Sequence, residues 1–324
     1  MKKSKITGIG HYVPERVVTN ADLEKIMNTT NEWIIERTGI EERRWFIPGK
    51  DTVSNMGTRA TKMALDRAGL EAKDIEFIVF ATITPDYFFP GSGVLLQREL
   101  GLQGIGALDI RNACSGFIYA LSIADQFIKT GMYKTILVVG SEIQSSALDK
   151  SDEGRSSSVI FADGAGAAII QASDDEGILS THLHADGDHA EELYVLDPGS
   201  SRETRLSKEM IDGKSFNLTM NGGAVFKHAV VKFSEVIREA LNQNGYSPED
   251  IDLLIPHQAN LRISNFVQKQ FKLPDDRIFN NIMHYGNTTA ASIPIAMSEA
   301  WEKGLIKEGD LLCLAAFGSG FTWA

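Results

Sequence analysis

The chain repeats itself. Residues 64–78 (ALDRAGLEAKDIEFI) and 240–254 (ALNQNGYSPEDIDLL) follow one plan, 176 residues apart. Each has an amphipathic helix end, a turn with Gly or Asn, an Asp-Ile pair and an apolar strand, Phe77 to Ala81 or Leu253 to Ile255. The same offset aligns a strand at Thr135–Val139 with the run Asp310–Leu314, and a helical pattern at 115–130 with one at 289–303. Phe117, Ile118, Leu121, Ala124, Phe127 and Ile128 form one helical stripe, and Gly131 stops it. Each half therefore reads helix, strand, helix, strand, helix, strand. That alternation predicts an α/β fold of mostly parallel sheets covered by helices, and runs such as Phe77–Ala81 fit sheets buried on both faces. Neither half covers its own sheets, so residues 1-172 and 173-324 are expected to form two pseudo-symmetric units packed together. Residues 185–216 are polar without a clear period, as in a long connection of the kind that often carries function.

Composition removes several function classes. With 324 residues, 43% of them hydrophobic, the chain has ample material for a core and is not disordered. No apolar run reaches the ~18 residues of a membrane span, and the start MKKSKITGIG lacks the apolar region of a signal peptide. Two cysteines make no disulfide framework and fit a reducing cytoplasm. A net charge of −11 argues against nucleic acid or anionic lipid as partner, so an anionic ligand needs a locally basic patch.

Cys114, in RNACSGF, follows a strand at Gly106–Ile110 and precedes a helix. There a thiol meets the helix dipole and backbone N–H groups, which favour thiolate, and small neighbours leave room for substrate. Such a cysteine is either a nucleophile or a small buried filler. Cys313, inside LLCLAAF, reads as core filler. His257, in PHQAN, ends a predicted strand, where α/β sheets place ligands. Asn287, in HYGNTTAAS, opens the second-half helix; Cys114 maps onto residue 290, so two helix starts can face one cleft. Cysteine, histidine and asparagine together suggest a nucleophile with two hydrogen-bond donors. His182, His184, Asp186, Asp188 and His189 have metal-ligand composition but no fixed tetrahedral spacing, so no metal site is expected. Gly164-Ala165-Gly166 looks like a dinucleotide loop, yet it leads into a strand rather than a helix.

These stretches resemble the 3-oxoacyl-[acyl-carrier-protein] synthase III family of thiolase-fold condensing enzymes over Lys5 to Ala324. The shared signatures are NEWIIERTGI at Asn31–Ile40, the Cys114 segment, FADGAG at Phe161–Gly166, PHQANLR at Pro256–Arg262, Gly286-Asn287-Thr288 and FGSGF at Phe317–Phe321. The resemblance implies a duplicated five-layer αβαβα fold and a decarboxylative Claisen condensation of an acyl-CoA primer with malonyl-ACP, with no cofactor. It assigns catalysis to Cys114, His257 and Asn287, and an oxyanion hole to the backbone N–H groups of Cys114 and Ser319. CoA binding falls to Thr29, Trp33, Arg37, Arg155, Phe226 and Asn260. The acidic carrier protein would dock on Lys227, Arg262 and Lys269, and Phe89 would line the acyl pocket of a neighbouring subunit, which implies a homodimer. Several positions depart from the family pattern: Gly223 replaces an asparagine, Ser319 interrupts a glycine triplet, and Ser156 stands where glycine often follows the arginine. A related condensing enzyme joining long acyl chains or making a specialised ketide would keep the same trio. Thiolase activity would want a second reactive cysteine where Ser319 stands, and a silent acyl-CoA-binding protein would be expected to have lost one of the three.

Overall fold

The computed structural model describes residues 2–324. In the first half, the principal elements are β1 (Lys3–Tyr12), α1 (Asn31–Thr38), α2 (Val53–Ala68), β2 (Phe77–Ala81), α3 (Ser92–Glu99), β3 (Gly106–Ile110), α4 (Gly116–Lys129), β4 (Thr135–Ile143) and β5 (Asp163–Ser173). In the second, they are α5 (Gly222–Asn244), β6 (Leu253–Pro256), α6 (Leu261–Phe271), α7 (Ser292–Glu302), β7 (Leu312–Ala315), β8 (Phe317–Gly318) and β9 (Thr322–Trp323).

Local chemistry sets the repeat. Thr52 accepts the Asn55 N–H at the start of α2, and Asn221 accepts the Ala224 N–H at the start of α5. Both helices stop at a glycine in the left-handed region, Gly69 at φ 67° and Gly245 at φ 74°. A 3₁₀ turn follows each, Ala72–Asp74 and Pro248–Asp250, and then β2 or β6. Further on, the 3₁₀ turns Ala113–Ser115 and Thr289–Ala291 lie 176 residues apart, and α4 and α7 start directly after them.

The first-half sheet has the order β1-β5-β4-β2-β3. Its centre is parallel, β2 running with both β3 and β4, as alternation predicts. The other side is not: β5 is antiparallel to β4 and to β1, so the sheet is mixed. The departure follows from connection: β1 and β5 bracket the half, and neither is joined to its neighbour through a βαβ crossover. Both faces are buried. Ile78, Phe80, Leu137 and Val139 pack against α2 and α3, while Val79, Ala81, Ile136 and Val138 pack against α4 and α7. A third core holds α5 and α6 against β6 and β7. The layers therefore run helix, sheet, helix, sheet, helix, the thiolase-like αβαβα order.

The second half is less regular than its repeat suggests. β6 and β7 form a parallel pair, and where a third strand is expected there is one bridge, Leu254 to Ile278. The reason lies in Gln258, whose Oε1 accepts the N–H groups of Asn281 (3.0 Å) and Ile282 (3.2 Å) and turns the chain into a helical turn at Ile282–Tyr285. The long connection is also more ordered than its polarity suggests. Its His184–Ala185 pairs with β9, and Leu193–Tyr194 pairs with Thr219–Met220. Among the described residues, no helix is long and apolar enough to cross a membrane.

Candidate active site

The site forms where the two halves touch. Ala113 (φ 45°) and Thr289 (φ 53°) hold left-handed backbone at equivalent places, so two strained turns face each other at the starts of α4 and α7. Close contact requires small residues: a Cβ on Gly140 would lie 2.4 Å from the Ala290 carbonyl oxygen, and one on Gly318 would lie 2.7 Å from Cys114 Cβ. Gly318 thus lets the last loop of the second half lie directly on the first-half cysteine.

Cys114 is buried, and burial pushes its thiol up to about 12, with the nearby Glu142 carboxyl acting in the same direction. The backbone N–H groups of Cys114 and Ser319 point at the sulfur and pull the other way without prevailing. The helix-start expectation of a resting thiolate is therefore corrected: desolvation outweighs the dipole. Glu142 is itself pushed up to about 7 by burial, although Thr84 Oγ1 (2.6 Å), Thr82 Oγ1 (3.2 Å) and the Ile83 N–H (3.2 Å) all donate to it.

His257 extends β6, its N–H bonded to the Ala315 carbonyl at 2.8 Å. Its Nδ1 lies 2.6 Å from Ser292 Oγ, whereas Nε2 is buried without a partner. Burial lowers its pKa to about 3, so the ring is neutral. Asn287 is locked by its backbone to Ile160 and Ala162, both at 2.9 Å. Its Oδ1 accepts the Thr289 N–H (2.9 Å), which leaves the amide N–H groups as donors.

Cys114, His257 and Asn287 line one cavity of about 450 Å³. Trp33, Arg37, Phe226, Asn260 and Arg262 line it too, so most of the expected CoA contacts share the cavity of Cys114. Arg155 stands beside them, its guanidinium 4.4 Å from the Trp33 ring centre and that of Arg37 at 4.8 Å. Asn260 caps α6 by accepting the Arg262 N–H and donates to the Arg37 carbonyl at 2.9 Å. Thr29 is buried with its hydroxyl unpartnered. Ser319 borders the site through its N–H, while its hydroxyl donates to the Leu193 carbonyl. Lys227 on α5 and Lys269 on α6 are exposed outside the cavity wall, and Phe89 is 76% exposed before α3.

Other candidates lie elsewhere. His182 and His184 both contact Glu239, and no group of three or more His, Cys, Asp or Glu side chains among the described residues could hold a metal ion. Gly164 to Ala168 lie within β5. Cys313, read as core filler, packs from β7 against the core of α5 and α6, where burial pushes its thiol up to about 12, and it also borders a separate cavity of about 970 Å³. Sequence reasoning missed Ser292, Glu142 and Gly318. Glu142, an acid within the apolar run TILVVGSEI, was the one legible signal.

Residues 108–187 match the family model described as 3-Oxoacyl-[acyl-carrier-protein (ACP)] synthase III, and residues 241–324 match the model of its C-terminal part. The beta-ketoacyl-[acyl-carrier-protein] synthase III of Xanthomonas euvesicatoria pv. vesicatoria is 46% identical over 99% of this chain and 96% of its own. That of Caldanaerobacter subterraneus subsp. tengcongensis is 45% identical over 98% and 95%. The crystal structure of the Aquifex aeolicus VF5 3-oxoacyl-[acyl-carrier-protein] synthase III superposes with a TM-score of 0.90 at 44% identity, covering 99% of this chain and 97% of that one. With the thiol, imidazole and carboxamide in one cavity of a duplicated αβαβα fold, this chain belongs to the 3-oxoacyl-[acyl-carrier-protein] synthase III family.

Proposed function

We propose that this chain initiates fatty acid synthesis by condensing an acyl-CoA with malonyl-ACP, through Cys114, His257 and Asn287. The observation that carries this reading is the single cavity in which a buried sulfur meets an unpartnered His257 Nε2 and a free Asn287 amide. The Cys114 sulfur attacks the thioester carbonyl, CoA leaves as its thiol with the cysteine proton, and the acyl group stays on Cys114. The N–H groups of Cys114 and Ser319 hold the oxyanion; one such donor is worth about 3 kcal/mol.

Malonyl-ACP then loses carbon dioxide, and its thioester oxygen takes the developing enolate charge. His257 and Asn287 donate to that oxygen. A ring with a pKa of about 3 suits this role, because a neutral imidazole donates a hydrogen bond without handing its proton to the carbanion. The carbanion attacks acyl-Cys114, 3-oxoacyl-ACP leaves, and the cysteine sulfur takes up one proton. Loss of carbon dioxide drives the step and the donors carry the charge, so the reaction calls on no cofactor or metal.

Trp33, Arg37, Arg155, Phe226, Asn260 and Thr29 would hold CoA, with the arginines toward its phosphates. Lys227, Arg262 and Lys269 would receive the acidic carrier protein. The exposed Tyr87, Phe88 and Phe89 form an apolar patch that a second copy would cover, Phe89 entering its acyl pocket. In this reading the units 1–172 and 173–324 contribute Cys114 and the His257–Asn287 pair respectively, in the cytoplasm.

The test separates the half-reactions. Cys114→Ala should release no CoA from acyl-CoA. His257→Ala should still release CoA, while carbon dioxide release from malonyl-ACP falls about 100-fold or more. Equal losses in both steps would sink the assignment of roles.

A further inference from the structure

His257 can donate to an enolate only if its proton sits on Nε2, and that choice is made at the other ring nitrogen. Nδ1 lies 2.6 Å from Ser292 Oγ, a contact in which either atom could be the donor. The surroundings of the hydroxyl decide. Ser292 is buried at the first turn of α7, and its Oγ accepts the Gln258 N–H at 3.4 Å. Among the described residues, Nδ1 is its only other partner. The oxygen can accept two hydrogen bonds, but among the described residues the buried hydroxyl proton has no acceptor other than Nδ1, so it donates there and Nδ1 is the bare acceptor. The ring proton then lies on Nε2, which is buried and unpartnered on a side chain that lines the cavity.

We propose that Ser292 is a positioning residue that fixes His257 as its Nε2–H tautomer and holds the ring plane toward the cavity before substrate arrives. This deepens the reading of His257 as enolate donor and rests on it. The geometry also explains why Gln258 follows the histidine. Its side chain anchors β6 to the turn at Asn281 and Ile282, and its backbone N–H donates to the hydroxyl oxygen. Ser292 itself opens α7, the repeat partner of α4, where Gly116 occupies the equivalent place. A helix start that approaches the cavity with no side chain in one half therefore supplies the orienting hydroxyl in the other.

The experiment combines ¹⁵N-histidine NMR of the whole protein with separate assays of the two half-reactions, for wild type and Ser292→Ala. In the wild type, the His257 signals should show a protonated Nε2 and an unprotonated Nδ1. In Ser292→Ala they should move toward a mixture of the tautomers. Carbon dioxide release from malonyl-ACP should fall about tenfold or more in the variant, with acyl-Cys114 formation from acyl-CoA within about twofold of wild type. Retained acylation shows that the variant is folded. A wild-type spectrum with the proton on Nδ1, or a Ser292→Ala enzyme with unchanged carbon dioxide release, would overturn the proposal. Undiminished carbon dioxide release by His257→Ala would overturn the donor reading on which it rests, whatever tautomer the spectrum shows.

Discussion

The turns at Ala113–Ser115 and Thr289–Ala291 share a backbone and differ in everything chemical. Each follows a residue path 176 positions from the other, holds one left-handed residue and feeds a buried helix. The first places Cys114 against Gly318. The second places Ala290 against Gly140, flanked by Asn287 and Ser292. Duplication supplies two inward-facing helix starts, and in the proposed function side chains divide the labour: a nucleophile in one, hydrogen-bond donors and their orienting groups in the other. The strain common to both belongs to the scaffold, and the sulfur belongs to one half alone.

Two glycines allow that division to be tested. Gly318→Ala puts a methyl group 2.7 Å from Cys114 Cβ and 2.9 Å from its nitrogen. Both the nucleophile and the Ser319 N–H must shift, and a displacement of about 1 Å costs ~100-fold in rate. Condensation assays should show that loss on top of the about 1–3 kcal/mol of lost stability that overpacking brings. Gly140→Ala meets a backbone carbonyl at 2.4 Å in the second turn, so its effect should appear as about 1–3 kcal/mol of lost stability, read by urea unfolding. If Gly318→Ala lost only stability, the turns would be equivalent scaffolding.

Cysteine reactivity sharpens the contrast further. With its thiol pushed up to about 12, Cys114 should react slowly with iodoacetamide at pH 7, and the rate should climb about tenfold per pH unit through pH 9 without a plateau. A plateau near pH 7 would show that the helix start, not burial, governs the sulfur.

Stability should respond to pH in two opposed ways. His257 is lowered from 6.5 to about 3, so its neutral form stabilises the fold fully above pH 6.5, and that contribution is lost as pH falls toward 3. Glu142 is raised from 4.5 to about 7; its protonated form stabilises below pH 4.5, and the benefit fades as pH rises through 7. Urea midpoints of His257→Gln should fall less than wild type on acidification. Those of Glu142→Gln should fall less than wild type between pH 4.5 and 7.

Much of this was legible in the chain. The pair 64–78 and 240–254 predicted helix, turn and strand in both halves, because glycine stops and apolar runs are local signals. The meeting of Cys114, His257 and Asn287 in one cavity was legible from the motifs around them. What stayed hidden depends on contacts distant in sequence. The antiparallel β5 needs a partner more than 150 residues away in β1, and the missing second-half strand depends on one glutamine side chain taking two backbone N–H groups. The cysteine pKa was misjudged because a helix start is visible in sequence and the closure of Gly318 over it is not. Ser292 escaped notice because it lies 35 residues from the ring it orients.

The most direct test of the central claim is mass spectrometry of the intact protein after incubation with a panel of acyl-CoAs, followed by peptide mapping. An acyl adduct of one group per chain, confined to the peptide bearing Cys114 and absent in Cys114→Ala, is the predicted result. No adduct from any acyl-CoA, or one that persists in Cys114→Ala, would contradict the account.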